Sequence, residues 1–135
     1  MLTTPCRWDH LGNGYLDWYA PMNVFHPGVD LNYGSTPGAD LGDPILCPAD
    51  GVVIFVSPTA TQANQYGGGL GNYTITQHPQ LSVWCRFMHQ QSIMVKAGDK
   101  LTMGQQIGTV GGTGTTEPHL HFEVMNAKGF AYIQT

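Results

Sequence analysis

The sequence predicts a mainly β fold, an antiparallel sheet in a single domain spanning residues 1–135, and three observations predict it. Short runs in which apolar and polar residues alternate recur along the chain, the pattern of half-buried strands. The 18 glycines and 9 prolines interrupt the sequence before any helical period can build up. At 135 residues the chain is long enough to bury one real core, and no composition shift marks a linker.

The elements follow in order. Residues 1–24 carry no clear period and are expected to wrap the domain as loops. Asp50-Gly51 is a hairpin-type turn that opens the strand "VVIFV", residues 52–56. The glycine-rich "YGGGLGN", 66–72, lacks the Lys-Ser/Thr of a phosphate-binding loop and reads as a loop before a strand. "NYTITQH", 72–78, alternates, with Tyr73, Ile75 and Gln77 facing one way and Thr74 and Thr76 the other. "SVWCRFMH", 82–89, places Val83, Cys85, Phe87 and His89 on one face. "AGD", 97–99, is a turn. "HLHFEVM", 119–125, sets Leu120, Phe122 and Val124 opposite His119 and His121, and "FAYIQ", 130–134, would close a sheet edge.

Composition excludes several function classes. Only 10% of residues are charged, against about a quarter in ordinary domains, and the net charge is −4. The five Lys and Arg are scattered, so no basic surface for nucleic acid exists. No run approaches the ~18 apolar residues of a membrane helix. The N-terminal stretch has no apolar leader core, so export through the general secretory route is not expected of the chain as written. Cys6, Cys47 and Cys85 are too few and too widely spaced for a disulfide framework and read as small buried residues.

Chemistry concentrates in the histidines. Residues i and i+2 of a strand project to the same side, so His119 and His121 present two imidazoles to one surface. An isolated pair of this kind is usually just hydrogen-bonded or exposed. Upstream, however, "FHPGVDL" (25–31) holds His26 and Asp30 four residues apart. Pro27 and Gly28 disfavour a helix there, and in an extended segment i and i+4 again share a side. A His, Asp, His set of nitrogen and oxygen donors suits a catalytic zinc, which keeps one position open. His89 ends a strand, and His10 and His78 read as loop or turn residues.

These motifs, in this order, resemble Peptidase family M23, the lysostaphin or LytM-type zinc metallopeptidases of peptidoglycan. The resemblance runs from about His26 to Val124. "HPGVDL" resembles the first zinc motif, and "GDPILCPADGVVIFV" the hairpin after it. "GNYTITQH" resembles the next strand, and "FMHQQS" the segment bearing an isolated active-site histidine. "VKAGDKLTMGQQIGTVGGTG" resembles a turn-strand-turn, and "PHLHFEV" the final motif. The resemblance implies a β-sheet with a loop-walled groove, one zinc ion per chain held by His26, Asp30 and His121, and two catalytic histidines, His89 and His119. The sequence departs from the pattern at Glu117, where a small residue is usual, in a shorter loop before Pro118, and at Phe87, where Tyr is common. Some latent members fill the open zinc position with an upstream Asn, for which Asn13 and Asn23 are candidates.

The expected function is zinc-dependent endopeptidase cleavage of peptide bonds in bacterial peptidoglycan stems or cross-links. His89 and His119 would act as acid, base or oxyanion stabiliser. Tyr19 and Tyr33 are candidates for substrate contact. Glu123 shares the histidine face and reads as a solvated strand residue, with orientation of a metal ligand as the alternative. The expected partner is peptidoglycan, met by a monomer at the cell wall, in a phage endolysin or virion-borne lysin. The rival readings are an inactive M23-like binding or structural module and a thiol peptidase using Cys85, whose mid-strand position gives no reason for an activated thiolate.

Overall fold

The computed structural model describes residues 1–20, 24–58 and 69–126 of the chain. Among these, the strands are β1 (His10–Leu11), β2 (Trp18–Tyr19), β3 (Val24–Phe25), β4 (Val29–Asn32), β5 (Pro44–Leu46) and β6 (Gly51–Ser57). They continue with β7 (Tyr73–His78), β8 (Val83–Met88), β9 (Ser92–Ile93), β10 (Lys100–Leu101), β11 (Gln106–Thr109) and β12 (Leu120–Met125). A 3-10 turn, Pro79–Leu81, links β7 to β8. Pairing is antiparallel throughout, as the alternating runs require. The candidate strand at 130–134 lies outside the described residues.

The main sheet runs β1-β4-β12-β8-β7-β6-β10. A smaller sheet, β5-β11-β9, and the β2-β3 hairpin complete the described strands. The core includes Leu31, Val53, Cys85, Phe87, Leu120 and Phe122 from the main sheet and Ile45 and Ile107 from the smaller one. Alternation explains the assignment: Leu120 and Phe122 face the core from β12, while His121 and Glu123 take the opposite face. Thr74 and Thr76 of β7 are also fully buried, opposite Phe87 and Cys85 in the ladder. Thr74 compensates by donating to Gln90 Oε1 at 2.7 Å, and the Thr76 hydroxyl donates to His78 Nε2 at 2.7 Å.

Three local expectations change. The stretch from Asp43 to Val56 is not a hairpin, because β5 pairs with β11 and β6 pairs with β7 and β10. β5 and β6 belong to different sheets, and Ile45 and Val53 both enter the core. Val124 is 47% exposed, since the core cluster ends at Phe122 and does not reach it. His89 does not continue the core face of β8. Its φ of +64° is left-handed, ending the strand's alternation at Met88 and turning the ring away from Cys85 and Phe87.

Candidate metal centre

The ladder places the first two ligand candidates directly. β4 and β12 pair with His121 opposite Asp30, so both side chains leave the sheet on the same face at adjacent positions. His121 Nδ1 lies 2.8 Å from Asp30 Oδ1. His26, just before β4, brings its Nε2 to 3.2 Å from the same oxygen. The ring of His26 meets that of His121 edge-on, with centroids 4.6 Å apart. The ligand atoms of His26, Asp30 and His121 all lie within 4.8 Å of one another, and all three residues are buried.

Close approach of the two motifs depends on Gly28. A Cβ there would strike the Phe122 carbonyl oxygen and come within 2.8 Å of Glu123 Cγ and 3.0 Å of His121 Nε2. Glycine alone lets the "HPGVD" backbone lie this close to β12.

The outer atoms of the candidate ligands are committed elsewhere. His26 Nδ1 donates to the Gly14 carbonyl at 3.0 Å. His121 Nε2 donates to Glu123 Oε1 at 2.9 Å. Carbonyls and carboxylates only accept, and His121 faces a carboxylate at each nitrogen, so with the protons placed on the outer nitrogens His26 Nε2 and His121 Nδ1 are bare in the neutral rings. Both point at the carboxylate oxygen Asp30 Oδ1, which also lacks a proton. Lone pairs facing one another in this way require a cation between them, either protons on the rings or a metal ion.

Protonation in the metal-free protein shows the same demand. Burial alone would discourage charge on Asp30, but contacts with His119, His121 and His26 hold its carboxyl far below the usual range. Burial likewise opposes charge on His26, and the neighbouring Asp30 carboxylate outweighs it and raises the pKa.

His119 and His89 form a second pair beside this cluster. Their ring centroids are 4.8 Å apart. His119 Nδ1 donates to the Glu117 carbonyl at 2.9 Å, and its Nε2 stands 3.4 Å from Asp30 Oδ1. His89 Nδ1 donates to the Thr113 carbonyl at 2.8 Å. Each ring is thus anchored through Nδ1, which leaves Nε2 as the nitrogen not held by a backbone carbonyl. Burial, then the proximity of His119 and His121, pushes His89 down to about 3, so its imidazole is neutral at neutral pH. His119 is raised, because Asp30 overcomes the effect of burial. Gly111 makes the pairing possible: it bridges to His119, and a Cβ on it would collide with Gln91 N.

Residues 24–132 match Peptidase family M23. The chain belongs to that family. The M23 domain is 38% identical over 101 residues to the peptidoglycan DD-endopeptidase ShyA of Vibrio cholerae, a match covering 74% of this chain and 20% of ShyA. It therefore spans about a fifth of the length of that curated relative. Among solved structures, it resembles a zinc-containing peptidase from Vibrio cholerae with a TM-score of 0.71 and 27% identity, covering 94% of this chain and 37% of that one. It also resembles the catalytic domain of the antimicrobial peptidase lysostaphin from Staphylococcus simulans, with a TM-score of 0.67 and 26% identity over 93% of this chain and 92% of that one. M23 is a zinc metallopeptidase family, and the mainly antiparallel β-structure is the lysostaphin-like fold.

The remaining candidates divide. Tyr33 lies under the Arg7 guanidinium, 3.9 Å from its ring centroid, and lines a polar cavity of about 210 Å³. Asp40, Glu117 and Pro118 also line that cavity, which borders the His119 side of the M23 site; none of His26, Asp30 and His121 lines it. The Tyr19 side chain and Asn23 lie outside what the structure describes. His78 is structural: it is fully buried, donating through Nδ1 to the Asp50 carbonyl at 3.0 Å. His10 is exposed beside Asp9.

Glu123 corrects the sequence reading. It is 1% exposed rather than solvated, and it joins His121 to Arg86. Arg86 Nε and a terminal guanidinium nitrogen reach Glu123 Oε2 at 2.8 and 2.6 Å. The register explains this, because Glu123 is opposite Arg86 on β8 just as His121 is opposite Asp30 on β4. A visible sign was Arg86 itself, a charge inside the apolar run "VWCRFM".

Proposed function

We propose that this M23 domain is a zinc endopeptidase that hydrolyses peptide bonds of bacterial peptidoglycan. The observation that carries the reading is the convergence of bare nitrogens of His26 and His121 on Asp30 Oδ1, with the outer ring nitrogens already satisfied. Two imidazoles and one carboxylate make the three-donor set of a catalytic zinc with an open position. The donors are buried and oriented by outer hydrogen bonds, as ligands of a resident metal are. A zinc ion in this site supplies Lewis acidity, which activates water and polarises a carbonyl near neutral pH.

The chain's own residues do the rest. His26, Asp30 and His121 hold the ion. His119 and His89, locked through Nδ1 to backbone carbonyls, present Nε2 side by side for proton transfer and for hydrogen bonding to the developing oxyanion. One of the two can take a proton from water and the other carry one to the leaving amine, as their adjacent rings allow. The low content of charged residues suits a small, extended peptide. The peptidoglycan endopeptidase among the relatives supports that substrate class.

The test is mass spectrometry of muropeptides released from several cell-wall types by the purified protein, alongside metal analysis. The expected result is about one zinc per chain and release of peptide-cleaved fragments. Stoichiometric zinc with no cleavage of any wall would favour a binding module instead.

A further inference from the structure

Residues 1–20 lie outside the segment matched to the family, yet part of this stretch is built into the metal centre. β1 pairs with β4 through His10 and Leu11, and the contact continues beyond the strand. Gly12 N donates to the Asp30 carbonyl at 2.9 Å, and Asp30 N donates to the Asn13 carbonyl at 2.9 Å. Leu16 N donates to the His26 carbonyl, and His26 N to that of Asp17. The Gly14 carbonyl accepts a hydrogen bond from His26 Nδ1. At the centre of this segment, Asn13 Nδ2 donates to Asp30 Oδ2 at 2.8 Å.

We infer that Asn13 is a positioning residue for the metal: its carboxamide occupies Asp30 Oδ2, so that Oδ1 alone is offered to the ion. This rests on the zinc-site reading proposed above. Asp30 has two equivalent oxygens, and the three imidazole nitrogens gather on Oδ1. With Oδ2 unheld, the carboxylate can rotate and offer either oxygen or both. A carboxylate only accepts, so the amide nitrogen of Asn13 must be the atom that faces it. An amide fixes the carboxylate without cancelling its charge, which a lysine or arginine at that place would do.

The experiment measures zinc affinity of the full chain by competition with a chromophoric chelator, for wild type, Asn13→Ala and Asn13→Leu. Leucine keeps the number and branching of the side-chain heavy atoms and lacks the donor. The wild type must bind zinc for the site reading to stand, and its failure to do so overturns that reading before the variants matter. The expected result is about 10–100-fold weaker zinc binding in both variants, the range seen when an outer partner of a ligand is lost. Cobalt(II) in the variants should show an altered visible absorption spectrum, reporting changed carboxylate coordination. The zinc-free proteins should unfold at nearly the wild-type temperature, because the Asn13–Asp30 bond is only part-buried. Wild-type zinc affinity in either variant overturns the inference. So does a zinc-free unfolding temperature that falls as far as the zinc-loaded one, which would mark a purely structural residue. A rise in peptidase activity on losing Asn13 overturns it in favour of a blocking role.

Discussion

His121 Nε2 and Glu123 Oε1 lie 2.9 Å apart on one face of β12, and Arg86 holds the other oxygen of that carboxylate. The three side chains form a buried relay that ends at His121 Nδ1, which faces Asp30 Oδ1. Replacing Glu123 with Ala should therefore have two separable effects. Zinc affinity should fall about 10–100-fold, because the His121 tautomer is no longer fixed. Stability should fall by about 3–5 kcal/mol, because Arg86 is left as an uncompensated buried charge. The double variant Arg86→Met, Glu123→Leu should recover most of the stability, read by denaturant unfolding of the zinc-free protein, and none of the zinc affinity.

The two histidines of the "HLH" motif should separate in metal content. His121→Ala should lose zinc, measured by elemental analysis of the purified variant. His119→Ala should retain about one zinc per chain while turnover drops by about 10²–10⁴-fold, the usual contribution of a positioned acid or base. The opposite pattern would exchange the two assignments.

Gly28→Ala tests the close packing of the first motif on β12. The new methyl group would press on the Phe122 carbonyl, which cannot move without breaking the β4–β12 ladder. Stability should fall by about 1–3 kcal/mol, as for other overpacked sites. Zinc affinity should fall with it, since His121 Nε2 is in the path of the same methyl group.

Thiol chemistry and metal chemistry should respond to different reagents. Burial, then Asp40 and Asp43, pushes the Cys6 thiol up to about 12, and burial does the same for Cys85. Cys47 is raised as well, chiefly by burial. All three are free and buried. At pH 8 these pKa values lie above the pH, so the thiols stay protonated and unreactive. Iodoacetamide should leave both the mass of the folded protein and its activity unchanged. A strong zinc chelator should abolish activity, and added zinc should restore it. Alkylation at Cys85 with parallel loss of activity would instead support a thiol peptidase.

Much of this arrangement was legible in the sequence, for a physical reason. The i, i+2 spacing of His119 and His121 and the turn residues around each alternating run are local signals, and local geometry preserves them. Phe122 and Leu120 fell on the core face because the period of a strand is fixed. Glu123 was misread because its partner is 37 residues away, and only the β8–β12 register reveals that Arg86 stands opposite. Asn13 was weighed only as a blocking ligand, since nothing in "GNG" shows that this segment will pair with Asp30. His89 left its expected face because one left-handed residue ends the alternation, and no neighbour in the sequence demands that conformation.

Asp30 and His121 meet because they sit at one rung of a ladder, which has a consequence for how such a domain can diverge or be redesigned. A single residue inserted within Val29–Asn32 or Leu120–Met125 would swap inward and outward side chains beyond that point. An insertion ahead of Asp30 in β4 would carry the carboxylate toward the hydrophobic interior. The connecting segments obey no such parity. Changes of length that leave the rung intact are thus confined to connecting segments such as 33–43 and 112–118, while the strands between them must keep their count.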